Sequence, residues 1–192
     1  MLTLALSFFV SNVVQYIYNP SGRKERNMYG IGDQVVYGAF GVMDVVDIIE
    51  QEIGNEKKKY YVLKEYVSRS DSLTYVPCDS ETLCGQMHPL LTRDEIDEVI
   101  RTAKASPSLD WIEDNRARSE FYKKLLSTAD RLKLILMIRT VEETGIRREA
   151  EGKKNYIADE NSMYRAKKLI ATEFSLVLGI PETEVEGYIH GK

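Results

Sequence analysis

Across residues 28–77 short, bulky apolar runs alternate with glycine-rich or charged turns, and that pattern confines this half of the chain to a small β structure. The run Met28-Tyr-Gly-Ile-Gly-Asp-Gln-Val-Val-Tyr37 leads into a first strand carrying Ile31, Val35, Val36 and Tyr37. Gly38 and Gly41 then bracket a turn around Ala39 and Phe40. Residues 42–49, mostly β-branched, predict a second strand with Asp44 and Asp47 on its wetter side. Gly54-Asn55, followed by three lysines, predicts a solvent-exposed hairpin tip. Residues 60–66 alternate as a third strand, and residues 73–76 form a fourth that Pro77 stops, because proline has no N–H to donate to a ladder. Four or five strands this short close most easily into a small barrel of the Tudor or SH3 kind.

Beyond Pro77 the period changes from two to that of a helix. Thr92 and Glu95 stand three apart as a capping box ahead of Ile96, Val99 and Ile100, and Pro107 ends that helix. Asp110 with Glu113 predicts the cap of a second helix, carrying Phe121 and Leu125 and placing Trp111 in its first turn. Ser127 with Asp130 repeats the device ahead of residues 132–141, whose wide apolar arc makes that helix central, and Gly145 is expected to stop it. A fourth helix over residues 159–178 spaces Met163, Ala166, Ile170, Phe174 and Val177 on one face before Gly179. Pro181 opens a short last helix that buries Val185 and Ile189. The expected class is therefore α+β, a small N-terminal β-barrel followed by a compact antiparallel helical bundle, divided as residues 1–27, 28–86 and 87–192.

The first 18 residues hold no charge, yet Arg23, Lys24 and Arg26 follow them, the reverse of a secretory signal. Ser11, Asn12 and Gln15 interrupt a stretch already marginal for the roughly 20 apolar residues of a membrane span. Residues 1–27 are read as an extension, with a start at Met28 favoured over an anchor. Cys78 and Cys84 fit neither a zinc nor a redox spacing, so free thiols in the cytoplasm are expected.

Function is read mainly by elimination. Asp94, Glu95, Asp97 and Glu98 crowd one helix start, where acidic side chains complement the dipole on a solvated face. His88 and His190 have no partner at ligand spacing, and there is neither a phosphate-binding glycine loop nor a nucleophile elbow. No catalysis, cofactor or metal is expected. The charge is divided unevenly: residues 28–91 hold 10 acidic and 5 basic side chains, and residues 92–192 hold 19 and 18. The β half thus suits a protein partner, one that could add a strand to an exposed sheet edge. In the helical half Trp111, the only tryptophan, is followed by Arg116, Arg118, Lys123 and Lys124. An indole beside basic residues can wedge against a base step while the cations hold phosphates. Two bland readings stand against this: Trp111 packs over the seam between the two halves, which spacing alone favours, and the cations line a solvated face.

The motif Gly32-Asp33-x-Val35-Val36-Tyr37, with Gly41-Val42, Tyr60-Tyr-Val-Leu-Lys64 and Val76-Pro77 following, resembles the RNA polymerase interaction domain of the CarD family. The likeness continues through Asp110-Trp111, Leu125-Leu-Ser-Thr-Ala-Asp130 and residues 163–178, so it covers nearly all of 28–192. It implies a non-enzymatic bacterial transcription regulator whose Tudor-like domain docks on the RNA polymerase β subunit. Its helical domain would then stabilise the promoter open complex by minor-groove contact at the upstream edge of the bubble, without reading sequence. By this resemblance Trp111 is the wedge, Arg116 or Arg118 the phosphate contact, with Lys123 and Lys124 nearby, and Gln51, Glu52, Tyr75 and Val76 lie at the polymerase surface. Some relatives place arginines there and this chain does not. The helicase motifs of the related repair coupling factor are absent from the sequence. A monomer without small-molecule substrate or membrane contact is implied, and a protein adaptor that never touches DNA is the competing reading.

Overall fold

The computed structural model describes residues 29–54, 56–67 and 71–191; the expectations for residues 1–27 and for Asn55 concern residues outside these. The motif ahead of the first strand is a turn closed by its aspartate, and Ile31, expected in that strand, lies in the turn and is exposed. Asp33 accepts a hydrogen bond from the Gly30 N–H through Oδ2 at 2.7 Å, and Gly32 takes φ +91°, a region that L side chains rarely enter. Pairing with the next strand already starts here, since Gly32 N–H donates to the Val45 carbonyl and Val45 N–H to that of Asp33, both at 2.8 Å.

Five antiparallel strands follow: β1 (Gln34–Tyr37), β2 (Gly41–Ile53), β3 (Glu56–Glu65), β4 (Leu73–Pro77) and β5 (Met87–Pro89), hydrogen-bonded in the order β4-β3-β2-β1-β5. The closure into a barrel expected from such short strands is not among the described pairings, which leave β4 and β5 at opposite ends. A one-turn helix α1 (Glu81–Cys84), capped by Ser80, leads into β5, which pairs with β1. The sheet therefore runs three residues past the boundary drawn at residue 86. Three polar-flanked residues carry too little period to be legible as a strand. The hairpin of β2 and β3 is also longer than expected, with Glu50, Gln51 and Glu52 paired opposite Lys59, Lys58 and Lys57. There, charge complementarity across the ladder extends pairing beyond the apolar run.

The helices are α2 (Arg93–Ala105), α3 (Asn115–Thr128), α4 (Arg131–Ala150), α5 (Ile157–Leu178) and α6 (Glu182–His190). The capping box of Thr92 with Glu95 forms as expected. Three other expectations need correction. The second helix starts at Asn115, because Asp114 rather than Asp110 caps it by accepting from the Ala117 N–H at 2.7 Å. The third is capped by Asp130 through the Lys133 N–H, while the Ser127 hydroxyl turns back to the Lys124 carbonyl. Gly145 does not stop α4, which continues to Ala150; a Cβ there would sit 3.2 Å from the Asn155 amide nitrogen, so the glycine admits a close neighbour instead. Ile96, Tyr122, Leu126, Met137, Ile170 and Phe174 centre a core shared by α2 to α5, to which α6 adds Val185. Among the described residues no helix is long and apolar enough to cross a membrane.

The sheet has its own core on one face, where Val35, Met43, Val45, Leu63 and Val76 meet Tyr29 and α1. Its opposite face, at β1 and β2, meets the helices through Val36, Val42, Ala129, Leu90 and Leu176. The turn at residues 38–41 is pressed into this seam. A Cβ on Gly38, at φ +45°, would come within 2.9 Å of the Ser127 carbonyl oxygen, and one on Gly41 within 3.0 Å of Leu169 Cδ2. A buried ion pair completes it. Arg131 donates through Nε and Nη2 to the two carboxylate oxygens of Glu173 at 2.9 Å each, and through Nη2 to the Pro89 carbonyl at 3.1 Å. Glu173 also accepts from the Leu91 N–H at 3.0 Å. Beside this pair, His88 is half-buried. Its burial, reinforced by the Arg131 guanidinium, holds its pKa below the ordinary 6.5, outweighing the opposite pull of Glu173 and Asp130.

Two outcomes follow from the seam. Gly38→Ala places a Cβ against backbone at a left-handed angle, and a thermal melt is expected to show a loss of about 1–3 kcal/mol; an unchanged midpoint sinks the packing argument. His88 binds its proton more weakly folded than unfolded. Its contribution to stability is therefore intact above about pH 6.5 and falls as pH drops through the lower folded-state value. Denaturant midpoints of wild type and His88→Gln are accordingly expected to converge between pH 7.5 and pH 5, and parallel curves contradict this.

Candidate nucleic-acid and protein interfaces

Trp111 is not in a helix. It sits between Ala105, the end of α2, and Asn115, the start of α3, in a segment of residues 106–114 without regular structure. A segment that lacks repeating backbone bonds needs other partners, and here α4 supplies them. Arg139 donates to the carbonyls of Ala103 at 2.9 Å and Ser106 at 2.5 Å and to the Ser108 hydroxyl at 3.2 Å. Thr140 Oγ1 accepts from the Leu109 N–H at 2.9 Å, and Ser108 donates to Glu143 at 2.6 Å.

The far end of the segment is held by Arg118. This residue is 1% exposed, and its Nε and Nη2 meet one carboxylate oxygen of Asp159, itself buried, at 2.9 and 2.8 Å. Its Nη1 donates to the Ile112 carbonyl at 2.6 Å and the Glu113 carbonyl at 3.3 Å, and Nη2 also donates to Asn115 Oδ1 at 2.8 Å. Four of the guanidinium's five N–H donors thus hydrogen-bond within the protein, and the ion pair with Asp159 neutralises its charge. Over its surface lie two rings, Trp111 with centroid 4.1 Å from Cζ and Tyr156 at 4.7 Å, stacked on each other at 6.3 Å and 27°. Arg148 covers Tyr156 in turn, at 4.0 Å. Partly desolvated contacts of this kind contribute about 0.5–2 kcal/mol each. Tyr122 lies below; burial, aided by the Asp159 carboxylate, pushes its hydroxyl up to about 12, so it stays protonated.

These positions correct two expectations. Arg118 is not placed to hold a phosphate, because it is buried and its charge is paired with Asp159. Trp111 does not pack over the seam, since its partners Arg118 and Tyr156 belong to the helical half and it is left half-buried. Arg116 is exposed in the first turn of α3, and Lys123 lies one heptad on along the same face, paired with Glu120 at 2.9 Å; Lys124 is exposed beside it. On another flank Trp111 borders a groove of about 340 Å³ whose lining includes Glu142, Glu149 and Glu160 together with Arg148; Glu142 is paired with Lys167. Sequence reasoning missed Tyr156, Asp159 and Arg139, which lie 45, 48 and 28 residues from Trp111 in the chain. Only proximity in space identifies them.

The second surface is the outer edge of β4. Leu73 and Tyr75 alternate outward, 43% and 49% exposed, while Val76 points into the sheet core at 0% and is unavailable to a partner's side chains. Gln51 and Glu52 are exposed on the projecting β2–β3 hairpin, not beside Tyr75: β3 intervenes, and Tyr75 pairs with Val62, four residues along β3 from Lys58. Cys78 and Cys84 are free thiols packed against the sheet core, and burial pushes both above the ordinary value.

Residues 29–90 match the family model of the CarD-like/TRCF RID domain. The matched span begins at the Tyr29 turn and ends one residue past β5, so it takes in all five strands. No curated protein matches the chain.

Proposed function

We propose that this chain, whose residues 29–90 form a CarD-like/TRCF RID domain, is a non-enzymatic transcription regulator of the bacterial cytoplasm. Its sheet docks on the RNA polymerase β subunit, and its helical half stabilises the promoter open complex from the minor groove at the upstream edge of the bubble. The observation that carries this reading is the pairing of a family-matched sheet, whose β4 edge no described strand pairs, with a separate segment that presents a half-buried indole. The domain match supports a transcription-related protein interaction. The wedge role of Trp111 and the phosphate role of Arg116, Lys123 and Lys124 come from the resemblance and from their exposure.

Docking follows from β4. An extended partner segment can add through backbone bonds to the β4 edge, which no strand among the described residues pairs, while Leu73 and Tyr75 give the side-chain contact. The acidity of residues 28–91 suits a basic partner surface and keeps this half away from phosphate. Replacing Tyr75 and Leu73 together by Ala is expected to weaken retention of purified polymerase roughly tenfold or more, with the melt unchanged. Val76→Ala is expected instead to lower stability by on the order of 2 kcal/mol. Equal retention of the Tyr75/Leu73 double variant and wild type rejects this edge as the docking site.

For the wedge, unstacking one base step costs a few kcal/mol, so an indole that holds the step open shifts the equilibrium by about tenfold or more. Trp111→Ala is expected to keep a cooperative melt and full polymerase retention while shortening the open-complex lifetime by that factor. A second reading, a protein adaptor without DNA contact, is favoured by the acidic groove beside Trp111; it requires that the lifetime not change.

A further inference from the structure

We infer that Arg118, backed by Asp159 and Tyr156, is a positioning residue that fixes the orientation of Trp111 before any partner arrives; its link to promoter opening rests on the reading of Trp111 as the DNA-contacting group. Three observations converge. The segment that carries Trp111 has no helix or strand of its own, yet the Ile112 and Glu113 carbonyls directly after the tryptophan are both tied to Nη1 of one guanidinium. That guanidinium cannot drift, because Asp159 at the start of α5 and Asn115 at the start of α3 hold its Nε and Nη2. The indole rests on the same group, 4.1 Å from Cζ, and its second support is Tyr156 at 6.3 Å. The backbone directly after the tryptophan and the indole itself are thus held by a single buried cation.

A large exposed aromatic with free side-chain torsions loses that freedom when it inserts. One already held loses less, and ordering one side chain at an interface corresponds to about two- to tenfold in affinity. The expectation for the sequence, in which Arg118 touched phosphate, is replaced by an indirect role: its charge is cancelled by Asp159 and it acts through the ring above it. A phosphate ligand would be lost with salt; a positioning residue leaves the salt dependence of binding unchanged.

Trp111 is the only tryptophan, so its fluorescence reports this segment alone. The full-length double variant Arg118→Met/Asp159→Leu removes the ion pair without leaving an unpaired buried charge. Tyr156→Leu removes the second support and leaves the ion pair. In each variant that retains a cooperative melt, acrylamide quenching and loss of anisotropy of Trp111 in the free protein are expected to rise at least twofold. Polymerase retention is expected to stay at the wild-type level and the open-complex lifetime to fall about two- to tenfold, toward that of Trp111→Ala. Unchanged quenching and anisotropy overturn the positioning role. So does failure of both variants to fold, since the cluster is then a folding element and nothing more. Raised mobility of Trp111 with an unaltered lifetime upholds the positioning role and rejects the wedge reading of the tryptophan.

Discussion

The relative placement of the two surfaces depends on one buried ion pair, Arg131 with Glu173. Removing two charges from water is expensive, and such a pair seldom adds much net stability over an apolar one. Its effect is on geometry. A bidentate guanidinium–carboxylate contact has a fixed plane and direction, and here its remaining valences go to the Pro89 carbonyl and the Leu91 N–H, on either side of the link between sheet and helices. Removing one partner alone leaves a buried unpaired charge, at about 3–5 kcal/mol. An apolar seam could slide by a fraction of an ångström, whereas this one has a single register. The Gly38–Gly41 turn reaches the same result by shape, because two absent Cβ atoms let the hairpin approach α3 and α5 as closely as backbone allows.

Signals that act over a few residues were the legible part of the sequence. The Thr92–Glu95 box, the Gly179 stop and the apolar stripe of α5 each depend on neighbours within one or two helical turns, and each is found where the pattern puts it. Errors arose where a residue type stood for a role that its neighbours in space decide. Asp110 has the residue type of a cap, but the helix is capped by Asp114, and Arg118 holds the Ile112 and Glu113 carbonyls in the segment ahead of it. Gly145 has the residue type of a stop, but Asn155 returns to its open side, and the helix continues past it.

The functional surface was legible in a different proportion. Residue type alone singled out Trp111, and an exposed strand edge was expected without its being assigned to β4. The fate of each basic residue was not, because exposure is a property of the assembled chain. Arg116 and Arg118 are two positions apart on one helix. A rotation of about 200° between them turns one to solvent and the other onto Asp159, 41 residues away. No composition or spacing argument distinguishes the two, since each sits among the same acidic neighbours. Val76 and Tyr75 differ for the same reason with a period of two, and there the alternation was available to be read.

The division of charge gains meaning from this geometry. A protein that holds a polymerase and touches DNA next to it must not bind DNA indiscriminately, or it is lost among the vast excess of nonspecific sites. In this chain the sheet is acidic, the helical half is close to neutral, and the cation nearest the indole is neutralised inside the protein. Any phosphate contact is then confined to a few exposed side chains on α3, too few for tight binding to duplex alone. Residence at a promoter would come from two weak contacts joined by a rigid seam, each raising the effective concentration of the other. On the proposed reading, the stiffness supplied by Arg131 and Glu173 would be as much a part of the binding energetics as either surface, because a loose linkage would dilute that mutual concentration.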